Sequence, residues 1–470
     1  MAGLLSTLTS AASALNASTA SINVTSNNIA NANNPYYSQE TATLEDRGSV
    51  ETTDGPVSIG TQIQVTQARD SLLDGMVQQQ ASLTSGFSAQ QSILQDAQAS
   101  LGESLTDSST NTNSTSTTTT ESGLGSALNS FFNAFQSLSA NPGNSAQVQS
   151  LLQQAGVLSD RFQEIDGALS QVQADATNQV TGDVSAANQL ISQIAQLNSQ
   201  IAAVNAQGVG SADQLIDQRE GAIEQLAAYI PISVSTAGNS EDTITTTDSG
   251  GNPIQLLTNG TVTNSLSFTG GSLEAGSTAL GVSSGSIQGT IDASTGPVQT
   301  LRDNLDSLAK QLVLSVNAAY NPNNTAGGNF FDANGQTAGT IAVDSNLTAA
   351  NLTSGSGAAG DNSIAVAVAN LANQTYSTGS GDDITGTFTN YYAGAVTTVG
   401  QALDSANTQV SDQTSVQTLI TNQRQSVSGV SIDEEMSNLM TYQSAYQASS
   451  ELLSVVSGLL STLITSVSGA

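Results

Sequence analysis

The residues of this chain whose types and spacing could do chemistry are few. Gly281-Val-Ser283-Ser-Gly285 has the spacing of a nucleophile elbow, where a serine on a sharp turn is activated by a histidine. The 470-residue chain contains no His and no Cys. Ser283 therefore lacks its base, and the common metal ligand, thiol chemistry and disulfides are excluded at the same time. Asp332-Ala-Asn334-Gly335 has the opening of a calcium loop without its closing bidentate Glu, and reads as a turn. Asp382-Asp383 reads as a solvated loop, and no Gly-rich segment leads into the Lys of a phosphate loop. Glu434-Glu435 has a structural explanation. Ser431-Ile-Asp-Glu434 is a capping box, with Ser431 as the helix cap and Glu434 reaching back, and carboxylates in the first turn complement the helix dipole. The expectation is a non-enzyme with no catalytic residue, no cofactor and no metal.

Charge excludes further classes. Lys and Arg total 7 against 38 Asp and Glu, a net charge of −31, and Lys310 is the single lysine. Binding to nucleic acid needs clustered cations, so no nucleic-acid partner is expected, and anionic lipid is disfavoured for the same reason. No run of eighteen apolar residues suggests a membrane span, so no membrane insertion is expected. The N-terminus lacks the basic start and apolar core of a secretory signal peptide. The expectation is a chain that is cytoplasmic, or exported without cleavage.

The elements that carry the chain are helices at its two ends. Ile432, Leu439, Tyr446, Leu453, Leu460 and Val467 fall one every seven residues, as do Met1, Leu8, Leu15, Ile22 and Ile29. A step of seven returns to nearly the same side of a helix and makes the seam of a coiled coil. Two unpaired seams at opposite ends predict that the ends meet. Residues 1–39 carry no charge, and their faces are rich in Ser and Asn. Such helices bury little apolar surface for the residues they order, so they are expected to order fully only when neighbouring subunits cover them.

Between the ends, residues 41–70 read as loop-like with short alternating pieces such as Ile63 and Val65 after Gly60, a helix is expected from Asp70 to Leu105, and Asp107–Ser122 reads as a mobile polar loop. Leu124 to Leu138 step by four and three, a helix stopped by Asn141-Pro142-Gly143. The rhythm from Val148 to Val204 slips near Thr181-Gly182, which suggests two long helices. Gly208-Val-Gly210 then turns the chain. Residues 232–292 change to Thr, Ser, Val and Gly with turn pairs, a small β segment, and Gly296-Pro297 opens the next helix. The fold class expected is mainly α with inserted β: an elongated multi-domain protein with paired terminal coiled-coil helices, a long helical bundle and a small β-domain. Its parts would be a terminal polymerisation domain (1–45 and 428–470), a helical rod (46–230 with 293–322 and 387–427), the β-domain (231–292) and a loop-rich insertion (323–386).

The ends also resemble a known family. Ser26-Asn-Asn-Ile-Ala-Asn-Ala-Asn-Asn-Pro35-Tyr-Tyr-Ser38 is similar to the N-terminal signature of the bacterial flagellar axial proteins. Ser428-Gly-Val-Ser-Ile-Asp-Glu-Glu-Met436, with Tyr442-Gln443 and Tyr446-Gln447-Ala448, is similar to their C-terminal one. Where that family usually has Gly after the Pro and Arg after the Ser, this chain has Tyr36 and Gln39. Phe131-Phe132, Leu215-Ile-Asp-Gln-Arg219 and Thr387-Phe-Thr-Asn-Tyr-Tyr392 resemble the junction members that sit between hook and filament. The resemblance implies a structural protein of the extracellular flagellum, exported by the flagellar type III route without a cleaved signal peptide. It implies a ring of self-associated copies whose termini line the inner tube and which templates filament assembly. The implied partners are the hook protein, a second hook–filament junction protein, and an export chaperone at the C-terminal helix. Two alternatives remain at this stage: another axial protein such as hook protein or flagellin, and a secreted adhesin using 232–292.

Overall fold

The computed structural model describes residues 2–46, 49–52, 55–58, 61–102, 123–207, 212–237, 240–325, 327–355, 357–358 and 360–468. Met1, the Asp107–Ser122 stretch, the Gly208–Gly210 turn and the side chain of Val467 lie outside the described residues. The chain opens with α1 (Ala2–Asn31), then β1 (Glu40–Asp46), β2 (Ser49–Thr52), β3 (Gly55–Ser58) and β4 (Thr61–Gln67). Four helices follow: α2 (Ser71–Ser100), α3 (Leu124–Ala140), α4 (Ser145–Gln207) and α5 (Asp213–Tyr229). The next strands are β5 (Ser233–Thr236), β6 (Asp242–Thr247), β7 (Pro253–Thr258), β8 (Thr261–Val262), β9 (Leu266–Thr269), β10 (Ser272–Ala275) and β11 (Thr278–Ala279). Then come α6 (Ser286–Ala293), α7 (Gln299–Tyr320), α8 (Ser363–Asn370), α9 (Phe388–Ser428) and α10 (Ile432–Ser468). The molecule is mainly helical and elongated, with small antiparallel sheets.

Two cores are strung on α4. The first gathers the N-terminal half of α4 as far as Ala176 with α3, α7, α8 and the start of α9. At its centre Phe131, Phe135, Phe330 and Phe331 form an aromatic cluster with edge and tilted contacts of 5.0–5.7 Å. The second begins at Val180 and joins the C-terminal half of α4 to α5, α6 and the sheets. Those sheets run in the orders β5-β6-β7-β8 and β11-β10-β9, all antiparallel.

Three expectations are corrected. The segment 148–204 lies within one helix of 63 residues, not two, about 95 Å long at 1.5 Å per residue. Its apolar stripe slips at Thr181-Gly182 because α4 passes there from one core to the other, and Thr177 and Thr181 keep their hydroxyls on the carbonyls one turn back. Residues 41–70 are not loop. β1 pairs with β4 from Glu40↔Gln67 to Asp46↔Thr61, and β2 with β3, in two-stranded ribbons. Gly296-Pro297 does not open a helix but lies in a π-helical turn, Ser294–Val298, that joins α6 to α7. The wider turn accommodates a ring that carries no N–H to donate.

The sequence features weighed for chemistry are structural. Ser283 is exposed, while Gly285, at φ +92°, lies against the Tyr229 carbonyl and donates its N–H to Ser82 O at 2.9 Å. Gly289 faces Gly86 so closely that a Cβ would lie 2.0 Å from the Gly86 carbonyl oxygen, so α2 and α6 cross backbone to backbone. Asp332 closes its own turn by accepting from Asn334 N at 3.0 Å, and Asp383 pairs with Lys310 at 2.7 Å.

Candidate assembly site: the terminal helix pair and the joint beneath it

Helices α1 and α10 form the most extensive pairing of elements among the described residues. They run antiparallel, because the loop that ends α1 meets the residues that begin α10. Gln39 N–H donates to Ser428 O at 2.8 Å, and Gln39 Nε2 donates to Glu435 Oε1 at 2.8 Å. On α1 the expected seam residues Leu8, Leu15, Ile22 and Ile29 are half-buried. Between them lies a second row spaced by sevens, Ala11, Ser18 and Thr25, which is fully buried. Small side chains let the helices approach closely, and the buried Ser18 hydroxyl is satisfied by Ala14 O at 2.9 Å. On α10, Leu439, Leu453 and Leu460 are half-buried, and Glu435 and Val456 are the buried positions. Ile432, in the first turn of α10, is 48% exposed, and Tyr446 is 40% exposed. These two residues of the expected row are not enclosed by the pair within one chain.

The outer side of α10 is apolar and open. Met440 is 62% exposed and Val455 and Leu459 each 53%, while Ile464, one turn beyond Leu460 on the seam side, is 63% exposed. By length and composition alone, a stretch within the α9–α10 run is apolar enough to cross a bilayer. That corrects the expectation that no such segment exists; the reason is that hydroxyl side chains interrupt the apolar run without lowering its average much. α10 begins where the Ser431–Glu434 pattern places it. Ser431 O accepts from Glu435 N at 2.9 Å, and Asp433, Glu434 and Glu435 fill the first turn.

Beneath the pair is a joint that ties both chain ends to the body. Asn28, buried near the end of α1, donates Nδ2–H to Glu40 O at 2.8 Å. Its Oδ1 accepts from Tyr37 OH at 2.8 Å and from Glu40 N at 3.0 Å. One amide side chain therefore fixes the corner between α1 and β1. The Tyr36 ring lies on Gly221 of α5, where a Cβ would come within 3.1 Å of it. Gln67 donates to Asp217 Oδ1 at 3.1 Å, and Arg69 pairs with the same oxygen at 2.7 Å. Arg424 of α9 pairs with Glu224 of α5 at 2.7 Å and donates to Pro35 O at 3.4 Å. The positions where this chain departs from the usual signature, Tyr36 and Gln39, make two of these contacts.

The joint is crowded with carboxylates. Burial, reinforced by Asp213 and Asp217, raises the Glu40 carboxyl to about 7. Burial raises Asp217 to about 6 although Arg69 and Gln67 pull it down. Burial outweighs Arg69 at Glu220 as well, raising it to about 7. Burial, then Glu40 and Asp217, push the Tyr37 phenol well above its ordinary range. Between the α1 corner, α5 and the start of α10 lies a polar cleft of about 650 Å³, lined by Arg69, Asp74, Glu220, Arg424 and Glu434 among others. Apolar periodicity cannot find this site, because most of its members are polar and come from separate helices, strands and loops far apart in the chain. The signal available was the dense Asn/Tyr/Gln signature itself, in particular Asn28 and Gln39.

Comparison with known proteins bears on this arrangement. A family model described as the flagellar hook-associated protein FlgK helical domain matches residues 115–331. Another, described as the C-terminal region of flagellar basal body rod FlgEFG proteins, matches residues 418–466. The chain is 27% identical to flagellar hook-associated protein 1 of Bacillus subtilis over 97% of each chain. It is 23% identical to the Escherichia coli protein of the same name, over 98% of this chain and 99% of the relative. The solved structure of the flagellar hook junction protein FlgK from Burkholderia pseudomallei is similar in fold, with a TM-score of 0.62 at 14% identity, over 75% of this chain and 100% of that one.

Proposed function

This chain belongs to the flagellar hook-associated protein 1 family, and we propose that copies of it form the ring that joins hook to filament and give filament subunits their first surface. It is a structural component of the flagellum at the extracellular hook–filament junction, assembled with other axial components. The observation that carries the ring is the antiparallel pair of chain ends whose outer side is apolar and open on a chain of net charge −31. Residues 2–39 carry no charge, and in α10 only Asp433, Glu434, Glu435 and Glu451 are ionisable as acids. Identical ends can therefore pack side by side without the repulsion that the rest of the surface would generate. The Ser- and Thr-rich faces supply hydrogen bonds to neighbours in place of salt bridges.

In this reading 1–45 with 428–470 is the polymerising domain, and the seam residues from Leu8 to Ile29 and Ile432 to Val467 hold it together. Ile432 and Tyr446, open in one chain, are covered by neighbouring copies. Hook protein lies on one side of the ring and a second hook–filament junction protein on the other. An export chaperone shields the apolar side of α10 before secretion without a cleaved signal. The ring does no catalysis. Deleting the gene tests the placement: hooks without filaments, with flagellin shed into the medium, are expected, and complete filaments on the deletion strain would overturn it. Removing Ser431–Ala470 is expected to abolish incorporation, and the truncated chain found at hook tips would refute the role given to α10.

A further inference from the structure

The joint holds more acid than its cations can balance. β1 contributes Glu40; Arg69, Asp70 and Asp74 stand at the start of α2. α5 contributes Asp213, Asp217, Glu220 and Glu224, with Arg219 turned away to Asp242 of β6 at 2.8 Å. From the other side come Arg424 of α9 and Glu434 and Glu435 of α10, and the Tyr37 hydroxyl lies among them. Arg69 is shared between Asp217 at 2.7 Å, Asp74 at 3.4 Å and Glu220 at 3.8 Å; Arg424 is shared between Glu224 at 2.7 Å and Asp74 at 4.0 Å. Asp217 is buried at 3% exposure and is held by Arg69, Gln67 and the Ser38 backbone, with further carboxylates around it. A buried carboxylate crowded by others is costly when charged and accommodated when it carries a proton.

The same groups connect the chain ends to the body. Asp217 receives Gln67 of β4, Glu224 receives Arg424 of α9, and Glu40 is the first residue after the corner that Asn28 fixes. We propose that this joint is a proton-operated latch: while protons are held among its crowded carboxylates the corner that carries the terminal helix pair stays docked on α5, and full ionisation lets that corner, and the pair with it, swing away. The direction follows from linkage. Glu40, Asp217 and Glu220 bind protons more tightly docked than they would exposed to water. Docking is therefore strongest below the ordinary carboxylate range and weakens as pH rises through about 6 to 7, where these groups ionise in place. Above that range no further loosening is expected. A junction protein with this latch would have terminal domains stiffly set in mild acid and mobile in mild alkali.

The test uses the full chain as an isolated monomer, which has no native Cys. Spin labels are placed at Gln225→Cys on the exposed side of α5 and Ser437→Cys on the exposed side of α10. A single short distance is expected at pH 5.5 and a longer, broader distribution at pH 8. The logarithm of the open-to-docked ratio should rise with pH by the number of protons released. Glu220→Gln and Glu40→Gln should each lower that slope by about one proton and keep the joint docked to higher pH. Asp292→Asn, an exposed carboxylate on α6, should leave it unchanged, and far-UV circular dichroism checks that each variant folds. A distance that does not change between pH 5.5 and 8 would overturn the proposal. So would an opening whose pH dependence both glutamine variants leave untouched. Because the readout is on the monomer, its failure is distinct from failure to assemble at the hook.

Discussion

Asn28→Ala is the substitution whose consequence can be worked furthest from the structure. The side chain is 1% exposed and makes three hydrogen bonds, to Glu40 O, Glu40 N and Tyr37 OH, all at 2.8–3.0 Å. Alanine removes them and leaves a buried phenol and two backbone groups without partners. At about 1 kcal/mol net per bond, with more where a group stays unsatisfied, the loss is about 3 kcal/mol. It falls on the corner between α1 and β1, not on the cores strung along α4. Native-state amide exchange read at Glu40, Gln39 and the last turn of α1 is the assay. Those amides should exchange about a hundredfold faster, since each 1.4 kcal/mol is a factor of ten. Amides in α4 should keep their protection. Asn28→Asp keeps the acceptor for Tyr37 and Glu40 but adds a carboxylate beside Glu40, so its defect should deepen as pH rises from 5 to 8. A change below about fivefold at Glu40, or equal loss of protection in α4, would refute the view that one amide sets this corner.

Other outcomes follow from named contacts. Gly289→Ala forces a methyl into the Gly86 carbonyl and should destabilise the α2–α6 crossing by about 3 kcal/mol or prevent folding; thermal unfolding of Gly289→Ala beside Gly296→Ala, where a Cβ meets nothing, reads the difference. Asp242→Ala leaves the buried Arg219 guanidinium without its carboxylate and should cost about 3–5 kcal/mol in denaturant unfolding of the second core. In the isolated monomer, amides of the distal halves of α1 and α10, away from the joint, should exchange within the fraying range. Strong protection there in dilute monomer would contradict the need for neighbouring copies.

What could be read in advance followed from periodicity. Phe131, Phe135 and Leu138 declared α3, and the row from Leu8 to Ile29 declared the paired end helix, because large apolar side chains must be buried and their spacing names the element. The slip at Thr181-Gly182 was visible but ambiguous. A broken stripe marks either a helix end or a change of partner, and only the packing of two cores on α4 decides between them. In 40–67 the alternation of Ile63 and Val65 showed in β4, but the ribbons were not predicted because each strand has few apolar residues and the partner, such as Glu40–Asp46, lies far from it along the chain. Ser18 and Thr25, in the buried row that includes Ala11, were missed for a different reason: small hydroxyl residues bring two helices close without raising hydropathy. The joint depends on long-range polar contacts such as Gln39 to Glu435, and no local pattern encodes a partner 396 residues away.

The central claim is that the open side of α10 is the surface by which copies of this chain assemble. Met440→Asp with Leu459→Asp puts charge on that side without touching the buried row of Glu435 and Val456. The direct measurement is electron microscopy of a deletion strain complemented with this double variant, alongside unfolding of the purified protein. Wild-type-like unfolding together with bare hooks and shed flagellin is the predicted result. Normal filaments grown on a ring of the double variant would contradict it.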